Sequence, residues 1–276
     1  MPKLLSEAQV NAYRQDGFAS PVRVFSHAQA LRLRAELEAV EAAQGHPMRF
    51  PEKSKSYLLH GWADAIVHDP AVLDAIEDLI GPDILCFHTT LWIKEAHQPA
   101  YVLWHQDGRY FDLDPPVQIT AWVALSAAPV NAGCIEVLPG TQALGPIDHK
   151  DEPSPLNLIR RGQGIFGRFD EANGTMMPLQ PGEMSLHDTY VVHRSGPNET
   201  ADRRIGLGIS YIPTSVRQTG RGGLGALLVR GQDRYGHFLP ETRLVRQGSP
   251  ESRAAHAEAV ARFKQSQDSG AARVTA

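Results

Sequence analysis

What the chain has least of sets its bounds. Two cysteines in 276 residues, Cys86 and Cys134, are too few for a disulfide scaffold and lack the Cys-x-x-Cys spacing of a structural zinc site. No stretch approaches the roughly 18 consecutive apolar residues of a membrane span. The opening Pro2, Lys3, Ser6 and Glu7 turn polar before any apolar signal core forms. Neither sign of charge dominates: 27 Lys and Arg against 31 Asp and Glu leave a formal charge of −4. No like-charged block offers a surface to nucleic acid or an anionic membrane. These absences lead to the expectation of a cytoplasmic protein with reduced thiols, acting on a small molecule rather than on nucleic acid or membrane. Long helices are also missing, with no convincing helical period from residue 84 to residue 212.

Turn-forming residues, in contrast, are plentiful. The chain holds 24 glycines and 20 prolines, above the roughly 12% of average usage. Such a composition suits many short strands joined by defined turns. Helices are expected over 4–15 with Ser6 as cap, from Ser26 to about residue 43, over 70–80 behind Asp69-Pro70, and over 251–263. Strands are expected over 18–25, 84–93, 101–105, 117–125, 133–137, 184–186, 191–193 and 205–212. Residues 141–180 read as an irregular insertion that covers a site or forms a long surface loop, and 264–276 as a frayed tail. With no internal repeat and no linker, the expectation is one domain over 1–276: a mainly β sandwich or barrel with flanking helices.

The sharpest local feature is Trp104-His105-Gln106-Asp107-Gly108. In a strand, residues two apart share a face, so the His105 imidazole and the Asp107 carboxylate converge. A third metal ligand must come from elsewhere. The stretch from Gly182 to Gly196 holds His187, Asp188 and His193, and spacing alone does not choose between the two histidines. Two histidines and one carboxylate form the facial triad of non-haem Fe(II) oxygenases, with positions left open for cosubstrate and O2.

Taken in order, the motifs resemble the phytanoyl-CoA dioxygenase (PhyH) family of Fe(II)/2-oxoglutarate-dependent oxygenases. The likeness is carried by Leu5-Ser6-Glu7 through Asp16-Gly17-Phe18, by Trp104-His105-Gln106-Asp107, by Thr120-Ala121-Trp122-Val123-Ala124-Leu125, by the run from Asn131 to Thr141, and by His193-Arg194-Ser195-Gly196-Pro197-Asn198 with Arg203-Arg204. It extends from about residue 5 to residue 240. The resemblance implies a double-stranded β-helix (jelly-roll, cupin-like) fold, with Fe(II) held by His105, Asp107 and His193. It implies that 2-oxoglutarate is anchored by Arg204, eleven residues beyond the distal histidine, with Ser195 nearby. It further implies O2-dependent decarboxylation of 2-oxoglutarate to succinate and CO2, coupled to hydroxylation of a substrate C–H bond. Halogenases of this kind replace the ligand carboxylate by Ala or Gly; Asp107 argues for oxygenation. An acyl-CoA hydroxylase and a non-catalytic cupin-like binding protein remain as alternatives.

Strand parity and adjacency to the ligand motifs supply the remaining candidates. Thr120 and Trp122 alternate in one strand, Thr120 as a cosubstrate contact and Trp122 as core or pocket wall. Tyr101 shares parity with His105 and is expected beside iron or cosubstrate. His88, Thr90 and Trp92 share a face, and a polar His88 pointing inward suits a substrate pocket. Arg109 and Tyr110 follow the ligand pair at the expected mouth, where Arg109 suits an anionic substrate. His187 is a candidate substrate contact or an alternative ligand, and Asp188 a candidate acceptor for a ligand histidine N–H. Lys150, Arg160, Arg161 and Arg168 in the insertion are offset by Asp148, Asp151, Glu152, Asp170 and Glu171, so no phosphate-binding cluster favours a CoA thioester.

Overall fold

The computed structural model describes residues 2–159, 163–219 and 223–274, with side chains to residue 266; Arg160 and Arg161 lie outside the described residues. Two N-terminal helices begin as the sequence predicts. Ser6 and Ser26 each accept the backbone N–H three residues on, from Gln9 and Gln29, whose side chains reach back to the cap N–H. Glu7–Asp16 stops at Gly17 and His27–Gln44 at Gly45, with φ of 83° and 74°, a left-handed conformation that favours glycine. Asp69 accepts from the Ala71 and Val72 N–H groups and Pro70 opens the helix Pro70–Ile80. Gly61–Val67 was not foreseen: it has seven residues and no side-chain cap, and burial of Trp62, Ala63, Ile66 and Val67 holds it in place.

A seven-stranded sheet runs in the order Phe18–Arg23, Glu183–Asp188, Ile119–Ala124, Arg204–Pro213, Ile84–Lys94, Gly225–Arg230, Leu239–Pro240. Every pair is antiparallel except the last. A four-stranded sheet, Val102–His105, Val192–Ser195, Ile135–Leu138, Thr175–Met177, is antiparallel throughout. The alternation of Arg204–Pro213 shows how the faces divide. Ile205, Leu207, Ile209 and Tyr211 join Leu37, Trp62, Val72 and Ile76 in the core between sheet and helices. Arg204, Gly206, Gly208 and Ser210 take the other face, where Trp122, Ile135, Val137 and Met177 form a separate cluster. The fold is therefore the expected double-stranded β-helix with helices packed outside.

Three segments depart from expectation. Within residues 141–180, Thr175–Met177 pairs with Ile135–Val137 as an edge strand, and Lys150–Asp151 pairs with Gln163–Gly164; runs this short carry no readable period. Gly225–Arg230 adds a strand beyond residue 212. The last helix spans Pro250–Val274, so the segment from 264 continues it: Lys264, Gln265, Ala271 and Ala272 are good helix formers, and one Gly270 does not outweigh them.

Candidate active site

Strand register assembles the site. His193 pairs with His105 across the small sheet, and His187 pairs with Thr120 across the large one. One ligand atom from each of His105, Asp107 and His193 lies within 4.8 Å of the others, and His187 is not part of this set. The open choice between the two histidines is thus decided by which sheet each belongs to.

The ligands are held in the state a metal needs. His105 and His193 each donate Nδ1–H to a backbone carbonyl two residues earlier, Leu103 at 2.9 Å and Val191 at 3.0 Å. A carbonyl only accepts, so each Nε2 carries the free lone pair. Asp188 does not serve as that acceptor; its carboxylate takes the Tyr190 N–H. Asp107 uses its oxygens differently. Oδ2 accepts from Thr120 Oγ1 at 2.6 Å and from His187 Nε2 at 3.3 Å. Oδ1 lies 3.6 Å from His105 Nε2 and 3.8 Å from His193 Nε2, and is the oxygen left for a metal. Burial acts to raise the Asp107 carboxyl, but the surrounding His105, His187 and His193 outweigh it and hold it well below the ordinary range. Burial, then the neighbouring His105 and His187, push His193 well below the ordinary histidine value. An ionised carboxylate beside a neutral imidazole is the ligand state that binds metal.

A narrow cavity leads from the triad to Arg204, past Trp122, His187 and Ser195. Arg204 is 2% exposed, and its Nε has no hydrogen-bond partner. Its guanidinium lies over the Trp122 ring, 5.1 Å from the centroid. Burial lowers it to about 10. A buried guanidinium without a counter-anion is costly, and it fits a carboxylate in both shape and charge. Gly206 makes the wall possible, since a Cβ there would run into the Trp122 indole. Arg203, one residue earlier, faces outward to Glu41 and Glu95.

On its other side the triad opens into a chamber of about 480 Å³, lined in part by His88, Thr90, Tyr110 and Ser210. His88, Ser210, Thr120 and His187 form one row across the large sheet. His88 and Tyr110 line this chamber, and Thr120 holds Asp107 as well as lining both cavities. Two candidates do not reach either cavity. The ladder is irregular between His193↔His105 and Ser195↔Val102, where three steps on one strand oppose two on the other. That bulge puts Val102 on the cavity side with His105 and leaves Tyr101 outside both linings, its backbone N–H and carbonyl pairing with Leu156 and Leu158. Arg109, expected at the mouth because it follows the ligand pair, sits in the short turn Asp107–Tyr110 and lines neither cavity, whereas the neighbouring Tyr110 does.

Comparison with known proteins accords with this geometry. Residues 13–206 match the family described as Phytanoyl-CoA dioxygenase (PhyH). The chain belongs to that family. It is a metal-dependent enzyme of the Fe(II)/2-oxoglutarate oxygenase superfamily, with a 2-His-1-carboxylate triad for a divalent metal. Among solved structures, the apo form of the non-haem monooxygenase ThoJ is 33% identical with a TM-score of 0.85, covering 96% of this chain and 99% of that one. A nickel complex of ThoJ is also similar. L-proline trans-4-hydroxylase of Streptomyces griseoviridis is 25% identical over 75% of this PhyH-family chain and 86% of its own length. The peroxisomal phytanoyl-CoA dioxygenase of Bos taurus is 27% identical over 75% and 68%. That relative, like its human counterpart, overturns the expectation of a cytoplasmic protein. A peroxisomal protein needs neither a secretion signal nor a membrane span, so the two absences behind that expectation do not point to the cytoplasm. Among the described residues, no helix is long and apolar enough to cross a membrane.

Sequence reasoning missed Lys94. It is fully buried in register with Arg204, and its Nζ donates to Ser195 Oγ at 2.8 Å and to the Gly196 carbonyl. Burial, then Arg204, lower it to about 6. Extending the parity of His88, Thr90 and Trp92 by two residues finds it. Gln106, between the two proximal ligands, was also missed; its amide ties Gly145, Tyr190 and Ile147 around the His-x-Asp turn.

Proposed function

We propose that this protein is an Fe(II)- and 2-oxoglutarate-dependent dioxygenase that hydroxylates an unactivated C–H bond of a small organic substrate, forming succinate and CO2. One observation carries the reading: the triad sits at the junction of two cavities, and the narrow one ends on a buried guanidinium whose Nε has no partner and which, among the described residues, pairs with no carboxylate. Fe(II) would be held by His105, His193 and Asp107 Oδ1. When bound, iron and 2-oxoglutarate supply the activation of O2. Arg204 would take the far carboxylate of 2-oxoglutarate, with Lys94 and Ser195 beside it. The charges suit this: Asp107 offsets one charge of a divalent metal and Arg204 restores it, leaving two positive charges for a dianion to neutralise.

The protein's own work is positioning. Thr120 and His187 hold Asp107 Oδ2, which keeps Oδ1 towards the metal. Gln118 orients Thr120 in turn. Trp122 and Trp92 exclude water along the narrow cavity. His88 and Tyr110 face the substrate side. Leu158 and Ile159, from the 141–180 segment, wall the larger chamber, which supports a covering role for that segment. Residues from Phe50 to Lys264 line that one chamber, which supports reading 1–276 as one working domain.

A panel of small acids, amines, phosphonates and acyl-CoA thioesters, assayed for O2-dependent succinate release and product mass, tests the proposal. The expected result is substrate-stimulated succinate with a product 16 mass units heavier, for one oxygen atom inserted. Turnover that is independent of 2-oxoglutarate contradicts it, and turnover only with a CoA thioester overturns the small-molecule reading.

A further inference from the structure

The larger chamber has a wall that the family match does not include. Matching residues end at 206, yet the C-terminal helix Pro250–Val274 supplies Phe263 and Lys264 to the lining. The Phe263 ring stacks on His88 at 4.0 Å with 20° between planes, and also meets Phe111 at 6.3 Å. His88 belongs to the row that runs through Ser210 to Thr120, which bonds the metal ligand Asp107. The helix thus closes the chamber against the row that leads to the triad. With Phe50, Trp92 and Phe111 the wall is largely aromatic.

Charge in the chamber is one-sided. Lys53 lines it with its ammonium 6.0 Å from the Trp92 ring centroid. Its backbone is fixed, since the Lys53 N–H donates to Arg49 and its carbonyl accepts from Leu91 in the large sheet. Burial lowers the ammonium below its ordinary value. Among the described residues no carboxylate pairs with it. Among the described residues the only lining carboxylate is Asp107, already engaged with Thr120 and His187. A cationic ligand would meet Lys53 with no free anion in reach, and a neutral one would cover the ammonium without compensating it. An acid does neither.

We propose that the substrate is an organic acid with an apolar, ring-sized body, its anionic group paired by Lys53 and its body packed between Trp92 and the Phe263 wall of the C-terminal helix. This rests on the oxygenase reading and narrows it to a substrate class.

The test is calorimetric binding of three matched probes, indole-3-propionic acid, its primary amide and the corresponding amine, to full-length protein loaded with Ni(II) and saturating 2-oxoglutarate. Loading is measured first in the same cell. A failure of the oxygenase reading shows there as absent 2-oxoglutarate binding, and the probes are then run on unloaded protein. The expected order is acid about tenfold tighter than amide, with the amine weakest. Lys53→Met should remove at least fivefold of the acid's advantage and leave the amide unchanged, while Lys53→Arg keeps it. Phe263→Ala should weaken acid and amide by a similar factor; Phe263→Leu replaces it if the melting temperature shows that the alanine variant does not fold. No binding of any probe, an amine that binds as tightly as the acid, an acid advantage that survives Lys53→Met, or Phe263 variants that bind like wild type would each overturn the proposal.

Discussion

Asp107 spends one oxygen on Thr120 and His187 and keeps the other for the metal, and this division sets how single residues respond to change. His187→Ala removes a support and leaves the three ligand atoms in place. Metal affinity measured by calorimetry should fall about 10–100-fold, whereas complete loss of binding would make His187 a ligand. Lys94 makes a statement about pH. Its folded value of about 6 lies below the ordinary 10.5, so between the two the unfolded chain holds more protons at this position. Stability of the metal-free protein therefore gains from Lys94 as pH rises from about 6, and below that the buried ammonium exerts its full cost. Denaturant unfolding from pH 6 to pH 9 should show this slope in the wild type and a flatter one in Lys94→Met, whatever that variant's absolute stability; parallel slopes would refute it. At this scale the sequence was partly legible. His105 and Asp107 stood out because they share a strand face two residues apart. The partner of His105 did not stand out by spacing, because the choice between His187 and His193 depends on sheet register; it was legible only through the family resemblance, which pointed to His193.

Strands turn this local alternation into a site. In Arg204–Pro213 the residues Ile205, Leu207 and Ile209 bury outward while Arg204, Gly206 and Gly208 face the cavity. The two glycines are spaces for Trp122 and Trp92, respectively. Gly206→Ala should overpack Trp122 and cost roughly 1–3 kcal/mol; because Trp122 also lies under Arg204, 2-oxoglutarate affinity should fall with it. Chemical denaturation together with a 2-oxoglutarate titration checks both, and an alanine variant unchanged in both would show that the indole has room to move. Elements were most legible where caps and alternation coincide, as in Glu7–Asp16, Pro70–Ile80 and Ile119–Ala124. They were least legible where a bulge resets the parity, which is why Tyr101 falls outside both cavities. Short edge strands such as Thr175–Met177 draw their stability from the neighbouring strand, and the sequence holds no local trace of that.

Across the whole molecule, distant segments are tied around one site. Lys55, fully buried, pairs with Glu241 at 2.6 Å and also donates to the carbonyls of Phe87 and Gly225, which fastens the segment ahead of the last helix to the large sheet. His256 on that helix bonds the Ser54 carbonyl at 2.9 Å, beside Lys53 of the chamber wall. These long-range contacts place Phe50, Lys53 and Phe263 together, and no local pattern in the sequence signals it. The central claim is that a facial triad and a buried guanidinium hold Fe(II) and 2-oxoglutarate together. It is tested most directly by anaerobic titration of 2-oxoglutarate into the Fe(II)-loaded protein, followed by the visible charge-transfer band of an Fe(II)–2-oxo acid chelate. The expected result is a band that saturates at one 2-oxoglutarate per chain, with Arg204→Ala weakened by roughly 2–5 kcal/mol at unchanged metal loading. Protein that takes up Fe(II) but gives no band, or an Arg204→Ala variant that titrates like wild type, would contradict it.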